Sequence, residues 1–171
     1  MNPEEATLYG QLQVFFIQNQ DSFYRIAFSY LNNHENTLDV IQDSIIKAVT
    51  KLHTLKQEEY MKAWFYRILI NECITTLRKE KRYQLFKAEY TKTLDLTTDQ
   101  ISLLGNSIDL YQAIQQLEPR LKTIVILRFF EDLKLEEIAL VTKTNVNTVK
   151  TRLYKALDKL KQTLGRDINY D

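Results

Sequence analysis

Across most of this chain apolar residues return every three to four positions, and almost nothing interrupts them. Its 171 residues include only three glycines, Gly10, Gly105 and Gly165, and two prolines, Pro3 and Pro119. A sheet protein needs such residues at its turns, and an alternating α/β chain needs them between elements. Abundant Leu, Lys, Gln and Glu favour helix instead. The chain is therefore expected to be all-α. From Asp21 to about Arg82 the helical period breaks only at "NNHEN" (32–36) and "TLKQEE" (54–59), which reads as a compact bundle. Residues 83 to about 106 lose the clear apolar stripe and end in "LGNS", where Gly105 can stop one helix and Ser107 can cap the next. From Ile108 the period returns in "IDLYQAIQQL", "PRLKTIVILRFFEDL", "LEEIALVT" and "VNTVKTRLYKALDKLKQTL", with Pro119 suited to a first helical turn. The expected architecture is two small helical domains, 1–83 and 107–171, joined by a linker over 84–106.

A hydrophobic content of 44% can supply real cores at this length. No apolar run approaches the roughly 18 to 20 residues of a membrane span, and the start "MNPEEATLYG" lacks the basic and apolar regions of a signal peptide. A cytoplasmic protein is expected. The single cysteine, Cys73, excludes an intramolecular disulfide and reads as a buried structural thiol. His34 and His53 stand apart without metal-ligand spacing, so no metal is assigned. No nucleophile elbow, phosphate loop or metalloprotease motif is present, so neither a catalytic residue nor a cofactor nor a small-molecule substrate is expected, and the chain does not read as an enzyme. Net charge is only +1, but it alternates along the chain: −4 over residues 1–60, +5 over 61–92, −4 over 93–119 and +4 over 120–171. Two separated basic blocks suit a polyanion touched at two places.

The last helical segment explains one of those blocks. At 100° per residue Val149, Leu153, Ala156, Leu157, Leu160 and Leu164 share a core face. The rest presents Asn147, Thr148, Lys150, Thr151, Arg152, Tyr154, Lys155 and Lys159, cations that seek phosphate among short groups that reach base edges. The short amphipathic helix "LEEIALVT" precedes it, separated by "KTN", which is a helix-turn-helix arrangement. A merely solvated amphipathic helix is the competing reading. The segment "LKLEEIALVTKTNVNTVKTRLYKALDKLKQTL", preceded by "LEPRLKTIVILRFFEDL", resembles region 4, the promoter-recognition domain of bacterial RNA polymerase sigma factors of the extracytoplasmic-function family. Those proteins usually have Gly in the turn where this chain has Lys143, so Lys143 must either accept a left-handed conformation or alter the turn. In the N-terminal half, "DSFYRIAFSYLNNHENTLDVIQDSIIKAV" followed by "AWFYRILINECITTLRKEKR" looks like region 2 of the same family. The two matches cover about three quarters of the chain in the family's order.

Two further faces can be read from the residues. In the segment 36–52, Leu38, Ile41, Ile45, Ala48, Val49 and Leu52 form the expected core face and leave Asp39, Gln42, Asp43, Ile46 and Thr50 outside. An Ile beside two carboxylates fits a protein-binding patch, though a single exposed Ile is also common. In the segment 62–82, Phe65, Tyr66, Leu69, Ile70, Cys73 and Leu77 form the buried face, and Arg67, Asn71, Arg78 and Arg82 an opposite basic stripe with Trp64 near it. A mid-helix Asn has poor propensity, and its amide can both donate to and accept from a base. Trp64, Phe65, Tyr66, Phe129 and Phe130 are expected in the core rather than as platforms for bases, Trp64 being the one nearest the basic stripe.

The resemblance implies roles for these residues. The helix bearing Asp39, Gln42, Asp43 and Ile46 would dock on the clamp coiled coil of the largest polymerase subunit, and the C-terminal domain on the flap of the second. Lys56, Gln57 and Tyr60 in the loop, with Trp64, Arg67, Asn71, Arg78 and Arg82, would capture and melt the minus-ten element; the C-terminal helix would read the minus-thirty-five element. It also implies an anti-sigma factor, usually membrane-anchored in this family. The alternatives are a dimeric helix-turn-helix regulator on a palindromic site, acting without polymerase, and a helical adaptor that binds no DNA.

Overall fold

A computed structural model describes residues 3–90 and 107–165 of the chain, and among them every regular element is helical. The N-terminal unit comprises α1 (Pro3–Gln18), α2 (Gln20–Leu31), α3 (His34–Thr50) and α4 (Met61–Tyr90). Two asparagines make the first sharp corner. Asn32 adopts the left-handed conformation (φ 48°) and its N–H donates to the Phe28 carbonyl, while the extended Asn33 caps α3 by accepting from the Asn36 N–H at 2.9 Å. Short 3-10 turns at Leu52–Thr54 and Glu58–Tyr60 carry the chain from α3 to α4.

Aromatic rings fill the middle of this unit. Phe23 packs on Phe65 with centroids 4.6 Å apart, and Phe16 on Phe65 at 5.0 Å. Ile26, Ala27, Leu69 and Cys73 complete a solvent-free centre. α1, which brings Leu12, Phe15 and Phe16 to it, stands out poorly in the sequence because Val14 and Ile17 on its other side are apolar and exposed. α3 is turned from its expected orientation: Thr37, Val40, Ser44 and Ala48 are buried, and Leu38 and Val49 are exposed. The reason is local hydrogen bonding. The Thr37 hydroxyl donates to the Asn33 carbonyl and the Ser44 hydroxyl to the Val40 carbonyl, both at 2.6 Å, so these small side chains enter a close helix contact without an unmet donor. α4 also runs on to Tyr90, beyond the stop expected near Arg82, because residues 83–90 hold neither Gly nor Pro and tolerate exposure on all sides. Gly105 and most of the expected linker, 91–106, lie outside the described residues.

The C-terminal unit comprises α5 (Ser107–Gln115), α6 (Pro119–Val125), α7 (Leu135–Thr142) and α8 (Val146–Leu164). Pro119 sits in the first turn of α6, as its fixed φ favours. After Val125 the backbone widens over Ile126–Phe130 into one π turn, in which the Glu131 N–H donates to the Ile126 carbonyl five residues back at 3.2 Å. The wide turn sets Glu131 inward and Phe129 and Phe130 outward, where both are exposed against the expectation of a core position.

The two units pack together. Ile124, Ile126, Leu127, Ile138 and Val141 belong to the same buried cluster as Phe23, Phe65 and Leu69. Around that seam Arg25 Nε meets Glu131 Oε1 at 3.3 Å, Gln115 Nε2 donates to the Ser29 carbonyl at 2.6 Å, and Tyr30 shares a buried hydrogen bond with Thr123. α7 lies on α4, and the wide turn on α2.

Candidate nucleic-acid interface

α8 is held rigidly before it presents anything. Asn145, extended, accepts from the Thr148 N–H at 2.8 Å, and Val149, Ala156 and Leu160 are buried beneath the helix. At the end of α7, Lys143 takes the left-handed conformation itself (φ 51°, ψ 44°), and the Thr144 N–H returns to the Ala139 carbonyl at 3.1 Å. The missing glycine thus leaves the turn intact at a conformational cost of about 1 kcal/mol. On the outer side Asn147, Lys150, Thr151, Tyr154 and Lys155 are exposed, and Thr148 and Arg152 are partly covered. The Thr151 hydroxyl donates to the Asn147 carbonyl at 2.9 Å, so towards a ligand it offers lone pairs and its methyl rather than a proton. Leu157, expected in the core, is 38% exposed.

α4 presents Asn71, Arg78 and Arg82 to solvent, with Lys56, Gln57 and Tyr60 exposed in the preceding loop. Leu55 and Met61 anchor that loop in the core. Two members of the expected stripe lie elsewhere. Trp64 is buried and its Nε1–H donates to the Thr54 hydroxyl at 3.1 Å, so it ties the loop to α4 as a wall of the core. Arg67 turns to the other unit and donates from Nε to the Val141 carbonyl at 3.2 Å and from Nη2 to Leu140 at 2.7 Å. Burial lowers its pKa, yet a guanidinium stays charged near neutrality. Arg67, Asn71 and Arg152 consequently line one cleft between α4 and the helix-turn-helix, together with Arg120 and Lys143. Those two cations lie outside the faces expected from the sequence. Neither belongs to an amphipathic stripe, and only their place at a helix start and in the turn marks them.

On α3 the side chains of Asp39, Gln42, Asp43 and Ile46 are all exposed, Ile46 at 61%. The rotation of α3 adds Leu38 and Val49 to this face, so its apolar part is larger than the lone Ile read from the sequence. Among the described residues neither Asp39 nor Asp43 has an ion-pair partner; the nearby ion pair, Lys47 with Glu72, lies on the side towards α4.

Comparison with known proteins accounts for both halves. A family model described as Sigma-70 region 2 matches residues 15–83, and one described as Sigma-70, region 4 matches residues 107–160. The chain is 44% identical to the RNA polymerase sigma factor SigV of Bacillus subtilis, over 96% of this chain and 97% of that protein. It is 27% identical to the ECF RNA polymerase sigma factor SigW of the same organism, over 87% and 86% of the two chains. Among solved structures, the sigma factor RpoE in complex with the anti-sigma factor NepR from Bartonella quintana shares the fold, with a TM-score of 0.69 and 22% identity over 91% of this chain and 98% of that one. With its two helical units and its helix-turn-helix, the chain belongs to the extracytoplasmic-function RNA polymerase sigma factors and is an alternative sigma factor for transcription initiation.

Proposed function

We propose that residues 1–83 bind core polymerase and open the minus-ten element, that 84–106 act as the tether, and that 107–171 read the minus-thirty-five element. The exposed Asp39, Gln42, Asp43 and Ile46 face supplies the polymerase contact, on the clamp coiled coil, with the C-terminal unit on the flap. Lys56, Gln57, Tyr60, Asn71, Arg78 and Arg82 hold unpaired DNA; Asn147, Thr148, Lys150, Thr151, Arg152, Tyr154 and Lys155 enter the major groove. Arg67 joins the first set once its interdomain bonds are released, whereas Trp64 serves by fixing the loop. The observation that carries this reading is a rigidly capped α8 whose polar side chains remain largely free of protein partners.

Such a reading requires the two units to part. Promoter elements about 25 base pairs apart lie roughly 85 Å apart at about 3.4 Å per base pair, but Asn71 and Arg152 here line a single cleft. The protein acts without catalytic groups of its own. Among the described residues no helix is long and apolar enough to cross a membrane, which suits a cytoplasmic protein. The fold it shares with a sigma factor held by an anti-sigma factor supports a partner of that kind here.

The test is transcription by core polymerase with and without the chain on genomic DNA, followed by Asn71→Ala on duplex and pre-melted templates. We expect specific starts with the wild type. The variant should open duplex promoters poorly and recover part of its yield on a bubble, because the unpairing cost of a few kcal/mol has been removed in advance. A chain that instead bound palindromic duplex as a dimer, without polymerase, would establish the regulator reading.

A further inference from the structure

The cleft between α4 and the helix-turn-helix encloses about 330 Å³, within the size range of small-molecule sites. Its charge is of one sign. Arg67 comes from α4, Arg120 from the first turn of α6, Lys143 from the left-handed turn and Arg152 from α8, and no carboxylate lines the space. Among the described residues Arg120, Lys143 and Arg152 have no ion-pair partner. Arg67 commits Nε and Nη2 to carbonyls and keeps Nη1 free. The Asn71 amide adds donors, and Ile70 and Val141 give the cleft an apolar wall.

Four cations from four elements, gathered against low-dielectric walls with no protein anion among them, repel one another and focus a positive potential on the space they share. A compact anion with several charges relieves that repulsion best, and the planar forks of Arg120 and Arg152, with the free Nη1 of Arg67, match phosphate oxygens in particular. We propose that this cleft is a binding site for a polyphosphate-bearing small molecule, inorganic pyrophosphate or a nucleoside di- or triphosphate, which bridges α4 to the helix-turn-helix and holds the two units closed. Because the site exists only while both walls are in place, the ligand stabilises the packed arrangement by mass action. It also occupies Asn71, Arg67 and Arg152, so ligand and promoter DNA compete. The site rests on the cleft and its charges, whichever DNA contacts those side chains make.

The test is calorimetric titration and thermal unfolding of the full chain with pyrophosphate, ATP and AMP at constant ionic strength, with sulfate as the control anion. Saturable one-site binding of pyrophosphate and ATP is expected, with AMP and sulfate at least tenfold weaker. Arg120→Gln combined with Lys143→Gly should weaken binding by tenfold or more through lost charge-assisted hydrogen bonds. Removing the same charge at the exposed Lys79 and Lys81, by Lys79→Gln with Lys81→Gln, should leave it unchanged. Tighter binding of ATP than of pyrophosphate would assign the apolar wall to a base; equal affinities would assign the site to polyphosphate alone. Fluorophores on the two units should report more of the closed form as ligand is added. Stabilisation that never saturates, that sulfate reproduces, or that survives in the cleft variant would overturn the proposal.

Discussion

Lys143 shows how one residue can depart from a family pattern without breaking it. Its left-handed φ of 51° is the conformation glycine adopts freely, and it is held there by the Thr144 N–H donating to the Ala139 carbonyl and by Asn145 accepting from the Thr148 N–H. Lys143→Gly should therefore raise stability by up to about 1 kcal/mol, offset in part by the greater freedom of glycine in the unfolded chain, and a denaturant midpoint measures it. Cys73 and Tyr66 show burial acting on ionisation. Desolvation pushes the Cys73 thiol from 9.0 up to about 12, and desolvation with the nearby Glu131 carboxylate pushes Tyr66 to about 12. Both groups are raised above their unfolded values, so the stability they contribute is fully present below about pH 9 to 10 and is lost as pH rises towards 12. Alkylation of Cys73 should accordingly follow global unfolding, with negligible reaction in the native protein at pH 8.

At the scale of the helix, the buried stripes of α4 and α8 are legible in the sequence because large apolar residues mark them. Phe65, Tyr66, Leu69 and Cys73 in one, and Val149, Ala156 and Leu160 in the other, lie where the period puts them. α3 is different, since its contacts use Thr37 and Ser44, whose polarity is neutralised by bonds within the helix itself. Its outer face yields a direct prediction. Asp43→Arg reverses an exposed charge without touching the core, so holoenzyme assembly should weaken while the circular dichroism spectrum is unchanged; binding assays with core polymerase measure the first. On α8, Thr151→Ala removes an acceptor and a methyl contact, and should cost roughly 1 kcal/mol of discrimination at one minus-thirty-five position. Arg152→Ala should weaken specific and random duplex alike and flatten the salt dependence by about one unit. Competition binding at several salt concentrations separates the two outcomes.

For the whole molecule the deciding feature is the seam between the units. The Glu131 carboxylate is 3% exposed there and is held by Arg25 and by the Tyr66 hydroxyl at 3.4 Å. Arg25→Ala would leave that carboxylate without its cation only while the units remain packed, so the variant should shift towards an open form. We expect about 1 kcal/mol, less than for a fully buried pair because the Arg25 side chain is 49% exposed. Small-angle scattering should show the larger radius, and promoter fragments should bind more readily. The sequence alone determined the helical class, the two units, the core stripes of α4 and α8 and the helix-turn-helix, because periodicity, capping residues and the scarcity of Gly and Pro act over a few neighbouring residues. Only the tertiary structure decided the orientation of α3, the exposure of Phe129 and Phe130, the burial of Trp64 and the gathering of Arg67, Asn71, Arg120, Lys143 and Arg152 around one cleft. These depend on contacts between residues as far as 106 positions apart, such as Arg25 with Glu131, and no local pattern encodes which of several compatible faces will meet.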